Sequence, residues 1–233
     1  MIYMTGDKHS DFHRVNALCC QQETSVDDIL IILGDASINY DGPIEDAYLK
    51  RELAKLPITL FCIHGNHEQR PETIPTYEKK TWYGGTVYVE PEFPNILFAK
   101  DGEVYKLDGK SFIAIGGAYS VDKYYRLEDG LGWWPDEQPS EVVKAYVELR
   151  LEELDWKVDY VLSHTCPMKY VPRENFLESI DQSTIDKSTE EWLDEIEDKL
   201  DYARWCCGHY HTDKTIDKMR FFFNDFISLG NYE

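Results

Sequence analysis

No stretch of this chain approaches the roughly 20 consecutive apolar residues that a membrane-crossing helix needs. Basic residues are scarce: 24 Lys and Arg stand against 44 Asp and Glu, a formal net charge of −20 at pH 7. Binding to duplex DNA rests on many Lys and Arg contacts to phosphate, so that partner class is disfavoured. A small phosphorylated substrate is not excluded, because bound metal ions can make one cleft locally positive. The six cysteines (Cys19, Cys20, Cys62, Cys166, Cys206, Cys207) include no C-x-x-C pair, which argues against a structural zinc knuckle. Cys62 and the Cys206-Cys207 pair lie in apolar runs, where thiols act as small hydrophobes. The sequence shows no internal repeat, no low-complexity tract and no linker, so residues 1–233 are expected to form a single domain. It enters an apolar run at Ile2, leaving no room for a signal peptide, and a cytoplasmic location is the expectation. Oligomeric state is not legible.

What is present is a core-forming composition, 42% hydrophobic and 14% aromatic, far from that of a disordered chain. Apolar runs closed by Gly, Asp or Asn predict strands over Ile2–Thr5, Ile29–Leu33 and Thr59–His64. Between the last two, Ala47, Tyr48, Leu49, Leu53 and Leu56 have helical spacing, and the stretch after Asp11 supplies an earlier crossover helix. Strand, helix, strand in this order predicts an α/β fold with parallel strands. Asn95–Ala99, Glu103–Leu107 and Ser111–Ile115 read as an antiparallel meander turning at Asp101-Gly102 and Asp108-Gly109. An irregular aromatic segment, 116–139, precedes a helix from Ser140 and a strand over Val158–Leu162. Ser188-Thr189-Glu190-Glu191 reads as a capping box opening a helix whose acidic residues form a solvated face. Strands over Tyr202–Cys207 and Arg220–Leu229, the second broken at Asn224-Asp225, complete the pattern.

Five of the seven histidines sit in fragments that each follow an apolar run, or lie next to one: Gly6-Asp7-Lys8-His9, Gly34-Asp35, Gly65-Asn66-His67-Glu68, Ser163-His164 and Gly208-His209-Tyr210-His211. Loops at strand ends are where a rigid sheet presents polar groups to a ligand. Asp, His and Asn form a mixed oxygen and nitrogen donor set, suited to Zn, Mn or Fe rather than Ca. Asp7 and His9 are two apart, so in an extended segment they face the same way; His209 and His211 repeat the spacing. Asn66 and His67 are adjacent and are expected to point apart. His13 and His64 fall outside these fragments and are read as structural.

In order and content the fragments resemble the calcineurin-like metallophosphoesterase superfamily, whose pattern is D-x-H, G-D, G-N-H-[DE], a lone His and G-H-x-H. That resemblance spans Asp7 to His211 and implies two facing mixed β-sheets flanked by helices. It also implies two divalent ions (Mn, Fe or Zn), one on Asp7, His9 and His211, the other on Asn66, His164 and His209, with Asp35 bridging. The reaction implied is phosphate-ester hydrolysis by a metal-bridging hydroxide, with His67 protonating the leaving oxygen; Asp35 and His67 are the expected catalytic pair. Ile38 stands where the protein Ser/Thr phosphatase branch has a second Asp, which argues against that branch. The partner orienting His67 is left open between Asn39 and Asp41.

A second stretch, Gly116 to Arg126 and then Trp133 to Glu137, is similar to a segment of bacterial and phage members of the superfamily. Two readings of it are open. Lys123 and Arg126 hold phosphate oxygens and the aromatic rings stack on a base or sugar; or the Trp pair caps a core edge, with Glu137 or Asp136 anchoring a turn. A small nucleotide-like phosphodiester or phosphomonoester is the expected substrate. A nuclease, or a binding protein on a retired phosphoesterase fold, is the alternative.

Overall fold

The computed structural model describes residues 1–176 and 180–231, Asn231 by its backbone alone. Thirteen strands are assigned among these residues, in two sheets. They are β1 (Ile2–Thr5), β2 (Ile29–Ile32), β3 (Thr59–Cys62), β4 (Glu78–Trp82), β5 (Gly85–Val89), β6 (Ile96–Ala99), β7 (Val104–Leu107), β8 (Lys110–Ile115), β9 (Lys157–Ser163), β10 (Asp201–Cys207), β11 (Lys214–Ile216), β12 (Met219–Phe221) and β13 (Ile227–Ser228). Helices are α1 (His13–Gln22), α2 (Pro43–Leu53), α3 (Lys123–Glu128), α4 (Glu141–Glu152) and α5 (Ser188–Glu197). The first sheet runs β13-β1-β2-β3-β6-β5-β4 and the second β11-β12-β10-β9-β8-β7. Both mix parallel and antiparallel pairs.

Strand alternation builds the layers. Ile29, Ile31 and Leu33 share one core with Phe112, Ala114, Tyr160 and Leu162 of the other sheet, so the sheets pack face to face. Leu30 and Ile32 point the opposite way, into a core with Val15 and Cys19 of α1 and Leu53 of α2. On the second sheet Ile113, Val161 and Trp205 pack outward against Val147 of α4 and Leu193 of α5. Strands buried on both faces read as continuous apolar runs, which is why these strands were legible. Among the described residues, no helix is long and apolar enough to cross a membrane.

Four expectations are corrected. Asn95–Ile115 is no meander: β6 pairs with β3 and β5 in the first sheet, β7 with β8 in the second, so the Asp101-Gly102 turn carries the chain between sheets. Arg220–Leu229 is broken around Asn224-Asp225 as expected, but its two parts fall in different sheets, β12 beside β10 and β13 beside β1. Asp213 holds that crossing by accepting hydrogen bonds from the backbone of Phe223, Asn224 and Asp225. The β4–β5 hairpin was not expected, since β4 is mostly exposed and polar, an edge strand with no apolar alternation to read. The capping box does not form: Asp186, not Ser188, caps the first turn of α5, accepting from the Ser188 N–H. Glu190 turns inward to Thr165, off the solvated face.

Candidate metal centre

Each chemistry-bearing fragment follows or precedes a strand on the same side of the two sheets, and their side chains meet in one place. His9 Nε2 and His211 Nε2 lie 2.9 Å apart, and His211 Nε2 is 3.2 Å from Asp7 Oδ2. Asp35 Oδ1 is 3.5 Å from His164 Nε2, and Asp35 Oδ2 is 3.9 Å from His9 Nε2, so this carboxylate stands between the two histidines. His164 Nε2 is 2.8 Å from Asn66 Oδ1. The His209 ring centroid lies 4.9 Å from that of His164.

The seven side chains converge, although not for the reason of extended spacing. His9, Asp35, His209 and His211 all take positive φ, so turns rather than strand alternation aim them. Non-glycine residues in that region cost roughly 1–3 kcal/mol each and cluster at functional sites. Two glycines make the approach possible: a Cβ on Gly65 would sit 2.0 Å from Asp35 Oδ1, and one on Gly208 would sit 2.2 Å from Asp7 Oδ1.

This donor set fits divalent ions. Asp7, His9 and His211 form one group of mutually close ligand atoms, and Asp7, Asp35 and His164 a second. Ligands about 2.1 Å from an ion at right angles lie about 3 Å apart, close to the separations seen. Asp7 Oδ2 is buried and, among the described residues, makes no hydrogen bond that meets normal geometry, its nearest cationic neighbour being His211 Nε2 at 3.2 Å; a divalent cation would satisfy it.

Backbone contacts hold these candidate ligands. Asp7 Oδ1 accepts from the His209 N–H at 2.8 Å and Asp35 Oδ1 from the His67 N–H at 2.8 Å. The Leu33 carbonyl lies 2.9 Å from His164 Nδ1, which leaves Nε2 facing Asn66 and Asp35. Burial opposes charge on both members of the Asp35–His164 pair, and their mutual attraction overrides it. Asp35 is held well below the carboxylate range, and His164 is lifted to about 9. Burial takes His209 down to about 3.

Several residues at this site escaped the sequence reading. Ser120 Oγ accepts from Asn66 Nδ2 at 3.0 Å and from Arg126 Nη1 at 2.8 Å, fixing the amide so that its oxygen faces the ligand cluster. The Ser120 N–H and Trp133 Nε1 both donate to Glu137, so the W-W-P-x-E stretch anchors the loop that carries Ser120. Arg70 clamps the same loop through the Asp136 carbonyl and Asp101, which accepts from the Gly116 N–H. Ser120 lies inside the Gly116–Arg126 stretch and Asp101 reads only as a turn residue, while Arg70 gives no local signal.

His67 lines the cavity beside the ligands, its ring edge-on to His9 at 5.0 Å. Neither candidate partner bonds its ring among the described residues: Asn39 accepts from Tyr77, and the Asp41 N–H donates to Asp46. Arg126 is 1% exposed and does not line the cavity. Lys123 lies outside it too, its ammonium 4.3 Å from the Trp133 ring centroid. His64 is buried, while His13 is exposed at the start of α1.

No curated protein sequence matches. Among solved structures, a phosphopantetheinyl hydrolase (PptH) from Mycobacterium tuberculosis is similar at TM-score 0.50 and 16% identity, covering 95% of this chain and 87% of that one. A protein of unknown function, AQ665 from Aquifex aeolicus, is similar at TM-score 0.33 and 14% identity over 71% of this chain and 80% of that one. The profile of the calcineurin-like phosphoesterases matches residues 1–213, and the chain belongs to that family.

Proposed function

We propose that this phosphoesterase works with two divalent ions, Mn, Fe or Zn, on a small phosphodiester or phosphomonoester. The observation that carries this is the convergence of seven donor side chains with Asp35 between His9 and His164. Asp7, His9 and His211 would hold one ion; Asn66, His164 and His209 the other; and Asp35 both. Ions at these positions would lower the pKa of water and offset the charge that builds on phosphate.

The remaining roles fall to the chain. His67, at the cavity wall beside Asp35, supplies a proton to the leaving oxygen. Burial lowers its pKa, and a phosphate anion next to it raises it again. The burial of Arg126 supports a role behind Asn66, through Ser120, rather than direct contact with phosphate. Part of the cavity lining is apolar, Val171 and Ile185 among it. All six cysteines are unpaired, which suits the reducing cytoplasm.

The test is Mn²⁺-dependent hydrolysis of bis-p-nitrophenyl phosphate beside p-nitrophenyl phosphate, with metal content measured on the same protein. Two equivalents of metal and turnover that Asp35→Asn abolishes with the fold intact are expected. His67→Gln should lower turnover yet keep both ions. Full activity in either variant would break the assignment.

A further inference from the structure

The cavity that begins at the metal ligands encloses about 760 Å³, in the 300–1,000 Å³ range of small-molecule sites. A phosphate group fills only a small part of that, so most of the space is for whatever the phosphate esterifies. His9, Asp35, Asn66, His67, His209 and His211 line one part. A further part of the lining comes from residues 168–176 and 180–187, between β9 and α5, together with Val121.

Aliphatic side chains form half of that lining, Met168, Val171, Ile180, Ile185 and Val121, with Phe176, Gln182 and Asn175 beside them, the last already donating to the Tyr210 carbonyl. The Trp pair expected to stack on a base is elsewhere, and Tyr119, which does line the cavity, is only 9% exposed, with the Lys123 ammonium 5.8 Å from its ring centroid. Neither Trp133 nor Trp134 lines the cavity; the first is bonded to Glu137 and the second packs edge-on to Tyr40. The Tyr210 ring is occupied by His209 and its hydroxyl by Thr165. Two cations, Arg173 and Lys187, also line this part, where they complement an anionic ligand in a chain of net charge −20.

We infer that this limb is a specificity site for the alcohol half of the substrate and takes a flexible aliphatic chain rather than a nucleoside. The inference rests on the phosphoesterase reading above. A nucleobase needs a flat aromatic face and paired polar groups to be held firmly. Branched and thioether side chains instead give an adaptable apolar surface, which gains affinity with each methylene it covers.

Calorimetric titration of the Mn²⁺-loaded protein with non-hydrolysable ethyl-, butyl- and hexylphosphonate, and with adenosine monophosphate, tests this. The dissociation constant is expected to fall roughly twofold to fourfold per added methylene, and hexylphosphonate to bind more tightly than the nucleotide. Val171→Asp and Ile185→Asp, each checked for an unchanged circular dichroism spectrum, should flatten the dependence on chain length. A flat wild-type series, or tighter binding of adenosine monophosphate, overturns the inference. If ethylphosphonate still binds in that case, the phosphoesterase reading stands. If no phosphonate binds and bis-p-nitrophenyl phosphate is not cleaved, that reading fails and takes the inference with it.

Discussion

Ser120 contributes one hydroxyl, and two donors depend on it: the Asn66 amide and the Arg126 guanidinium. Removing it frees the amide to rotate and leaves buried Asn66 Nδ2 without that acceptor, at about 1–3 kcal/mol, while Arg126 Nη1 keeps only Asp122 at 3.7 Å. Ser120→Ala is therefore expected to melt several degrees lower and to lose roughly 10–100-fold in metal affinity, read by scanning calorimetry and by metal titration. Unchanged affinity would mean that Asn66 is held without Ser120. Glu190 offers a pH-dependent counterpart. Burial raises its carboxyl pKa, so its stabilising state is the protonated one. The contribution is full below the unfolded value, about 4.3, and is lost as pH rises through the folded value. Glu190→Gln removes that loss, and its melting temperature relative to wild type should improve from pH 5 to pH 8. A pH-independent difference would dismiss the burial argument. At this scale the sequence was a good guide to chemical type and a poor one to environment. The seven candidate donors stood out because divalent ions of the Zn, Mn and Fe type favour Asp, His and Asn, and the structure brings their side chains together. Glu190 was read as solvent-facing because nothing local records that Thr165 lies across from it.

Elements were legible where burial is two-sided and local, as in β2 with its run of Ile and Leu. They were not where pairing is decided at long range. Asp101-Gly102 is a sound hairpin signal, yet β6 and β7 part there into different sheets. The side chain of Asp101 explains part of the outcome: it accepts from the Gly116 N–H while paired with Arg70 at 2.7 Å. This buried pair straps the first sheet's loop to the start of the segment that carries Ser120. Breaking it by Arg70→Met leaves a carboxylate uncompensated, a loss of about 3–5 kcal/mol. Arg70→Met with Asp101→Leu should lose less than the sum of the two singles, and denaturant titration of all three variants checks this. Additive losses would show that the two residues act independently. Gly208 makes a sharper demand on its turn, because a methyl there would meet both Asp7 Oδ1 and the Leu33 carbonyl oxygen, at 2.6 Å. Gly208→Ala is expected to lose bound metal even if β10 still forms, read as metal content against the circular dichroism spectrum.

Across the whole molecule two fields compete at the cleft. The net charge of −20 repels anions from every side, whereas Arg173, Lys187 and any bound ions attract them locally. Their ranges differ under salt: the screening length shrinks from about 30 Å at 0.01 M to about 8 Å at 0.15 M. Added salt therefore removes the distant repulsion first and leaves contacts inside the cleft nearly intact. The Michaelis constant for an anionic phosphoester is expected to fall as NaCl rises from 10 to 150 mM. The fall should be larger for dianionic p-nitrophenyl phosphate than for monoanionic bis-p-nitrophenyl phosphate, since the repulsion scales with the charge on the substrate. A constant that rises with salt would instead show that the cleft's own positive field reaches beyond its mouth. The acidic exterior would then matter to solubility and to the exclusion of duplex nucleic acid, not to substrate capture.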